Sequence, residues 1–116
     1  MATYRELTSV KALEETLQAS HQQPVLFFKH SITCGVSARA FAEFEKYLQT
    51  EASAGLQHAL IVVQKAREVS DRLAQLTGVP HESPQAILVR NGQAVWNESH
   101  FGLRSVALEQ AVSTHA

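Results

Sequence analysis

Two continuous apolar runs constrain the fold of this 116-residue chain more than any other feature of the sequence. The first is "VLFF", residues 25–28, and the second lies within "HALIVVQ", from His58 to Gln64. Neither run shows the alternation of apolar and polar residues that a half-exposed strand requires, so both are typical of strands buried on both faces of a parallel sheet. We therefore predict two central strands with helices packed on both sides of them.

Apolar residues at three- and four-residue steps predict four amphipathic helices around these strands. The first helix has Thr8 or Ser9 as its N-cap, the second starts at or beside Cys34, and the third ends at Gly78. The fourth lies in "GLRSVALEQAV" and closes the sequence. The apolar faces of the first three helices consist of Val10, Leu13 and Leu17, then Val36, Ala40, Phe41, Phe44 and Leu48, and finally Val69, Leu73 and Leu76.

The dipeptide Asn91-Gly92 inside "QAILVRNGQAVW" predicts a hairpin of two short strands joined by a type I′ turn. Strands joined through a helix are parallel, with a right-handed connection, whereas the two strands of a hairpin are antiparallel. The element order α-β-α-β-α-β-β-α thus predicts a single α/β domain over residues 1–116, with a four-stranded mixed sheet and helices on both faces. This architecture resembles that of thioredoxin-like proteins.

The composition argues against several classes of function. With a net charge of −1 and a pI of about 6.6, the chain lacks the basic excess that is typical of nucleic-acid-binding proteins. No segment has the ~18–20 apolar residues of a membrane span, and "MATYRELTSVKALEETL" is acidic and amphipathic, unlike a signal peptide. A single cysteine cannot form an intramolecular disulfide. We expect a cytoplasmic protein that binds neither nucleic acid nor membranes.

The only cysteine, Cys34, lies where the first central strand ends and a helix is predicted to begin. A helix N-terminus favours the thiolate, which is the nucleophilic form of cysteine, whereas the alternative is an inert buried thiol. Cys34-Gly35-Val36-Ser37 has the spacing of a C-x-x-C redox motif with serine at the second position. Because a hydroxyl cannot resolve a mixed disulfide, an external thiol must remove any adduct from Cys34. Ser37 could hydrogen-bond the Cys34 sulfur or satisfy an N–H group in the first turn of the helix.

Residues on either side of this motif extend the candidate site. Lys29 could add positive charge near Cys34, but it is predicted to be a solvated lysine at the strand end, and His30 is predicted to form a hydrogen bond there. In "VPHESPQ", Pro84 lies at the start of the next strand, where thioredoxin-like proteins place a cis proline facing the cysteine. With that isomer, the Ser83 backbone would be free to pair with an extended substrate. A trans proline would only remove a backbone hydrogen-bond donor at the start of the strand.

Three segments resemble the monothiol bacilliredoxin-like family of bacillithiol-system redox proteins, which have a thioredoxin fold. They are "FKHSITCGVSARAFAEFE", "GVPHESPQAILVRNGQAVW" and "SHFGL", and the similarity runs from about Thr8 to Val112. The sequence departs from this family at Gly35, where its members usually carry proline. Gly35 makes "CGVS" similar to the "CGFS" of monothiol glutaredoxins, which can hold a [2Fe–2S] cluster, although the flanking residues favour the bacilliredoxin family.

The resemblance implies a reaction and a set of site residues. Cys34 would attack a protein–bacillithiol mixed disulfide, release the client protein's thiol and take up bacillithiol, which is a co-substrate and not a tightly bound cofactor. A second low-molecular-weight thiol or a thiol reductase would then regenerate Cys34. Two alternatives stay open, namely an iron–sulfur carrier that uses Cys34 from two subunits and a binding module whose thiol is incidental. Candidate partners of the sulfur are Ser31, Thr33 and Ser37, and candidate substrate contacts are Ser83 and Pro84.

The histidines and the tryptophan predict mainly structural roles. None of the six histidines pairs with another at the three- or four-residue step of a helical metal site, and one cysteine cannot complete a cysteine-rich zinc site, so no metal is expected. Trp96 is predicted to cover the sheet. His100 is predicted to lie near the active-site end of the molecule.

Overall fold

Five strands form one mixed sheet in the computed structural model, which describes residues 2–116. β3 is parallel to both β1 and β2, whereas β4 is antiparallel to β2 and β5. The predicted mixed sheet is confirmed, with its parallel βαβ unit and its antiparallel hairpin. The strands are β1 (Arg5–Glu6), β2 (Val25–His30), β3 (Gln57–Val62), β4 (Gln85–Arg90) and β5 (Gln93–Ser99), and they lie in the order β1-β3-β2-β4-β5.

The predicted number of four strands is wrong, because β1 adds a fifth strand at the edge of the sheet. Arg5 and Glu6 pair with Ala59 and Leu60 of β3. Both β1 side chains are exposed, so these two residues leave no apolar pattern in the sequence. This strand forms because β3 offers an edge for pairing, which is a long-range condition that the local sequence does not reveal.

All four predicted helices are present. Ser9, not Thr8, caps the first helix, since its Oγ accepts the Ala12 N–H at 3.1 Å. The third helix ends at Gly78, whose φ of 74° is a left-handed conformation that glycine adopts readily. Within residues 2–116, no helix is both long and apolar enough to cross a membrane. The helices are α1 (Val10–Ala19), α2 (Gly35–Leu48), α3 (Arg67–Thr77) and α4 (Ser105–His115), and short 3₁₀ turns occupy Glu51–Gly55 and His100–Gly102.

Strand alternation divides the apolar core into two clusters, one on each face of the sheet. Leu26 and Phe28 of β2 pack with residues of α2 and α4 in one cluster. Val25 and Phe27 pack with residues of α1 and α3 in the other. Both faces of β2 are therefore buried, as its continuous apolar run predicts. Because helices cover both faces of β2, the carboxyl end of this strand, from which the chain enters α2, is held in place.

The β4–β5 hairpin has the predicted turn. Asn91 and Gly92 have φ values of 54° and 77°, and a type I′ turn requires positive φ at both central positions. The Asn91 N–H donates to the Ser20 carbonyl at 3.0 Å, and the Gly92 N–H donates to the Ser20 hydroxyl at 2.8 Å. These bonds anchor the turn to the end of α1. Trp96 of β5 packs against the cluster on the α2 and α4 face, so its predicted position over the sheet is confirmed.

Candidate functional site

Cys34 is the N-cap residue of α2 and is half-buried, four residues after the end of β2. Its carbonyl accepts the Ala38 N–H at 3.1 Å, which begins the hydrogen-bond ladder of the helix. Its own N–H donates to the Ser31 carbonyl at 3.5 Å. The N–H groups in the first turn of a helix have no acceptor within the helix, so they present partial positive charge to an anion at this position. The predicted position of the thiol at a helix start is confirmed.

Ser37 occupies the position of the second cysteine in a C-x-x-C motif, and its side chain is fully buried. Its hydroxyl accepts the Ser31 N–H at 2.8 Å and lies 2.8 Å from His30 Nδ1. The His30 ring stacks on Phe41 at 4.8 Å between centroids, and burial lowers the pKa of His30 below its ordinary value. The predicted hydrogen bond of His30 is thus confirmed. The Ser37 hydroxyl ties α2 to the end of β2, and its contribution to the Cys34 sulfur stays a prediction.

The loop between β2 and Cys34 is held by Gln64, a residue that the sequence analysis did not identify as part of the site. Gln64 Nε2 donates to the hydroxyls of Ser31 and Thr33 at 2.7 and 3.2 Å, and its Oε1 accepts the Ile32 N–H at 3.1 Å. The roles of Ser31 and Thr33 toward the sulfur stay predictions. Because β3 lies beside β2 and is parallel to it, its carboxyl end carries Gln64 to this loop. A polar residue directly after a buried parallel strand is the signal that could have identified Gln64.

The Ser83–Pro84 peptide bond is cis, as the analogy with thioredoxin-like proteins predicts. Gln85 pairs with Lys29 in the antiparallel register of β4 and β2, so one further step places Pro84 beside His30 at the Cys34 end of the sheet. Within residues 2–116, the Ser83 N–H and carbonyl have no hydrogen-bond partner, and its buried Oγ has none either. The Ser83 backbone is therefore available to a substrate, although the role of both residues as substrate contacts stays a prediction.

The prediction that Lys29 is solvated is wrong, because its side chain is fully buried. Strand alternation directs Lys29 to the face opposite His30, where α3 covers it. There its Nζ donates to the Ser70 carbonyl at 3.1 Å and lies 3.3 Å from His81 Nδ1. Burial lowers the pKa of Lys29 to about 8, and the negative charge of Asp71 partly opposes this shift. Lys29 thus links β2 and α3 to the segment that leads to Pro84.

A cleft of about 330 Å³ lies between α2, the helix that Cys34 caps, and the segment that connects β5 to α4. Val36, two residues after Cys34, lies in its wall. His100 lies on the opposite side, and its N–H donates to the Pro84 carbonyl at 3.0 Å, so its predicted position near the active-site end is confirmed. Sequence reasoning did not identify this cleft, because its two walls are distant in the sequence. The complete lining consists of Val36, Arg39, Ala40, Glu43, His100, Phe101, Leu103 and Arg104.

Histidine and acidic side chains near the site form pairs and do not converge on a common point. His100 Nε2 lies 2.8 Å from Glu82 Oε1, and His81 Nδ1 lies 3.1 Å from the Ser70 hydroxyl. In the part of the chain that the structure describes, residues 2–116, no three side chains of the His, Cys, Asp and Glu types are grouped as a metal site requires. The candidate reactive group of this site is therefore the Cys34 thiol.

Several solved structures have the same fold as this chain. The chain is 36% identical to a protein assigned as an oxidoreductase with a thioredoxin fold, with a TM-score of 0.79 and coverage of 93% of this chain and 92% of the other. The thioredoxin of Malassezia sympodialis matches with a TM-score of 0.80 at 15% identity, over 99% of this chain and 92% of its own. The thioredoxin of Trypanosoma brucei brucei matches with a TM-score of 0.77 at 14% identity, over 97% and 89%. The last two similarities establish the thioredoxin fold alone.

The family of the chain follows from a match that covers most of the sequence. Residues 5–108 match the model of the family described as monothiol bacilliredoxin BrxC. This segment includes Cys34, Ser37 and the cis Pro84, together with all five strands. Family and fold together identify a thiol-disulfide oxidoreductase. The chain belongs to the monothiol bacilliredoxin family.

Proposed function

We propose that this protein removes bacillithiol, or a related low-molecular-weight thiol, from mixed disulfides with client proteins. The observation that carries this proposal is the arrangement around Cys34. The thiol lies half-buried at the start of α2, while the position that a second cysteine would occupy holds Ser37, whose hydroxyl is committed to His30 and Ser31. Such a site can accept one thiol adduct, and it has no internal thiol with which to release it.

The proposed reaction consists of two thiol-disulfide exchanges. The Cys34 thiolate attacks the bacillithiol sulfur of the mixed disulfide, a new S–S bond forms to Cys34, and the bond to the client breaks. The client sulfur leaves with the electron pair as a thiolate and takes a proton from water. In the second exchange, a thiolate from another small thiol attacks the bacillithiol sulfur on Cys34. This attack frees the Cys34 thiolate and yields the oxidised small thiol, so the second thiol is the reductant.

The surroundings of Cys34 have defined roles in this proposal. The unpaired backbone of Ser83, beside the cis Pro84, pairs with the extended client segment that carries the mixed disulfide. The hydroxyls of Ser31, Thr33 and Ser37 are the proposed hydrogen-bond partners of the sulfur, and that of Ser37 exchanges its contact with His30 for one with the sulfur. The partners are S-bacillithiolated client proteins and either a low-molecular-weight thiol or a thiol reductase, and the reaction takes place in the cytoplasm. No tightly bound cofactor takes part, because bacillithiol enters and leaves as a co-substrate.

The test is intact-mass spectrometry of the reduced protein after it is mixed with a bacillithiolated client. We expect one bacillithiol mass on the wild-type chain and none on Cys34→Ser. Transfer from a glutathionylated client should be slower, because the proposed substrate is bacillithiol. Circular dichroism of both proteins confirms that they are folded.

No transfer to a folded, reduced wild-type chain would contradict the proposed reaction. In that event, anaerobic reconstitution with iron and sulfide distinguishes the two alternatives, since an iron–sulfur carrier becomes coloured and a binding module stays colourless. The rate at which Cys34 reacts with an alkylating reagent provides a further comparison. A rate equal to that of free glutathione would indicate an incidental thiol.

A further inference from the structure

The cleft has one wall formed by α2 and begins at Val36, in the first turn of the helix that Cys34 caps. Val36, Ala40 and Glu43 follow one another at three- and four-residue steps, so they lie on a single face of this helix. The opposite wall includes Phe101, which is 71% exposed. A volume of about 330 Å³ lies at the lower end of the range for sites that bind small molecules. The cleft therefore has the size of a small-molecule site, and it begins two residues after Cys34 in the same helix.

Two arginines give this cleft its charge. Arg39 projects from α2, and Arg104 lies just before α4. Within residues 2–116, neither guanidinium lies within 4 Å of a carboxylate, whereas the ion pairs that do form involve other residues. Arginine presents several donors in a planar fork that matches the geometry of a carboxylate. These two side chains can therefore bind an anionic ligand without breaking an existing ion pair.

The acidic side chains near the cleft contact neighbouring groups other than the two arginines. Glu43 accepts the Ser105 N–H at 2.8 Å and lies 3.3 Å from Lys46 Nζ, and these contacts lower its pKa. More distant Arg104 contributes weakly to the same shift. Glu82 is paired with His100 at 2.8 Å. The attraction of the cleft for an anion therefore comes from its arginines, while the ionised Glu43 carboxylate is held by Ser105 and Lys46.

We propose that Arg39 and Arg104 bind the carboxylates of the small-thiol half of the mixed disulfide in this cleft. This inference rests on the proposed function and adds the chemical class that the site selects, a thiol with a carboxylate-bearing body. Bacillithiol fits this class, because its cysteine is joined to a glucosamine ring and a malate with two carboxylates. The exposed Phe101 ring and Val36 provide apolar surface for the part between the sulfur and the carboxylates.

The proposed binding mode also determines which sulfur is attacked. A mixed disulfide contains two sulfurs, and attack on the client sulfur would attach the client to Cys34. Binding of the small thiol in the cleft places its own sulfur next to Cys34, so the client becomes the leaving group. The arginines act here as specificity-determining residues that contact the substrate at a distance from the reacting sulfur.

The test compares two mixed disulfides of one client peptide, one with bacillithiol and one with cysteamine, which carries no carboxylate. We expect Arg39→Gln/Arg104→Gln to lower kcat/KM for the bacillithiol substrate at least tenfold, mainly through KM, since the charge-assisted hydrogen bonds to its carboxylates are lost. The rate with the cysteamine substrate should not change. Arg90→Gln is the matched control, because this exposed residue lies at the opposite end of the sheet. Equal losses with both substrates would overturn the proposal.

A binding measurement separates this proposal from the proposed reaction. S-Methylbacillithiol, which cannot undergo exchange, is titrated into Cys34→Ser and into Cys34→Ser/Arg39→Gln/Arg104→Gln, with amide NMR shifts as the readout. We expect binding at the cleft residues of the first protein and at least tenfold weaker binding to the second. Binding of equal strength to both proteins would overturn the role of the arginines, even if transfer to wild-type Cys34 is observed. Arginine-dependent binding without transfer would instead support the cleft and contradict the reaction.

Discussion

Lys29 lies in an environment that is unusual for a charged side chain. A lysine is seldom fully buried, yet this side chain lies beneath α3 and donates to the Ser70 carbonyl and toward His81. His81 is three residues before Pro84, so these contacts connect the end of β2 to the start of the segment that carries the candidate substrate contacts. Burial disfavours the charged ammonium, which is why its pKa is lowered to about 8.

The lowered pKa of Lys29 makes stability depend on pH in the alkaline range. Between about 8 and the ordinary value of 10.5, the unfolded chain binds a proton that the folded chain has released. The contribution of Lys29 to the free energy of unfolding therefore rises with pH across this window and is smallest below it. Solvent screening reduces the effect, so we expect a gain of about 1–2 kcal/mol.

Urea unfolding of the wild type and Lys29→Met at pH values on both sides of this window measures the effect. The difference in unfolding free energy between the two proteins should increase with pH in favour of the wild type. Lys65→Met, which changes an exposed lysine, is the control and should show no such trend. A difference that stays constant with pH would mean that the buried lysine keeps its ordinary pKa.

At the scale of elements, the position of Cys34 depends on contacts between the ends of two parallel strands. Gln64, just beyond β3, uses both the oxygen and the nitrogen of its side-chain amide to bind Ser31, Ile32 and Thr33 in the loop that connects β2 with α2. A loop of this length would otherwise have few restraints, because its residues are largely exposed. The thiol is therefore positioned from one side by α2 and from the other by β3.

Removing the Gln64 amide should loosen this loop. In Gln64→Ala, we expect the Ile32 amide to exchange its hydrogen severalfold faster, since a hydrogen bond contributes about 1 kcal/mol to the closed state. Gln64→Glu keeps an oxygen that can accept the Ile32 N–H, so it should retain most of the protection. Native-state hydrogen exchange monitored by NMR measures both variants. Equal exchange of Ile32 in Gln64→Ala and the wild type would show that Gln64 does not restrain the loop.

The elements that could be predicted from the sequence are those that local chemistry specifies. The hairpin follows from Asn91-Gly92, because few residues adopt positive φ, and the end of α3 follows from Gly78 for the same reason. By contrast, β1 exists only through pairing with β3, and the burial of Lys29 depends on where α3 packs. Sequence alternation indicates on which face of a strand Lys29 lies, but it does not indicate what covers that face.

For the whole molecule, stability depends on two apolar clusters separated by the sheet. The cluster beneath α2 and α4 includes Tyr47, whose hydroxyl lies 2.7 Å from Nε2 of the buried His58. Burial lowers the pKa of His58 to about 4 and raises that of Tyr47. Both side chains are therefore neutral in the folded protein, and the pair joins α2 to β3 across the cluster.

Protonation of His58 should dominate the loss of stability in mild acid. The folded pKa of about 4 lies below the ordinary 6.5, so the contribution of His58 is present above pH 6.5 and is lost as the pH falls toward 4. The full shift corresponds to about 3 kcal/mol. Thermal unfolding across this range should show a smaller loss for His58→Gln, which keeps a partner for Tyr47, than for the wild type. His21→Gln, which changes an exposed histidine, is the control. Equal losses of stability in the wild type and in both variants would contradict the assignment of this loss to His58.

The candidate site could be predicted from the sequence only where its residues are close together in the chain. Cys34, Ser37 and the start of α2 lie within one short segment, and strand-to-helix patterning is sufficient to place them. The cleft joins α2 to residues more than 50 positions later, so Arg39 and Arg104 become neighbours only through the packing of α4 against the sheet. Pairings of this kind depend on the complete tertiary structure.

The presence of Ser37 where a second thiol would stand has a consequence for the equilibrium of the proposed reaction. A single thiol exchanges one adduct for one small thiol, so the ratio of free to modified Cys34 is proportional to the ratio of reduced to oxidised small thiol. A dithiol site consumes two reduced molecules for each oxidised one, and its ratio therefore varies with the square of the reduced concentration. For this chain, the fraction of Cys34 that carries an adduct at equilibrium therefore depends on the ratio of reduced to oxidised small thiol and not on their total concentration.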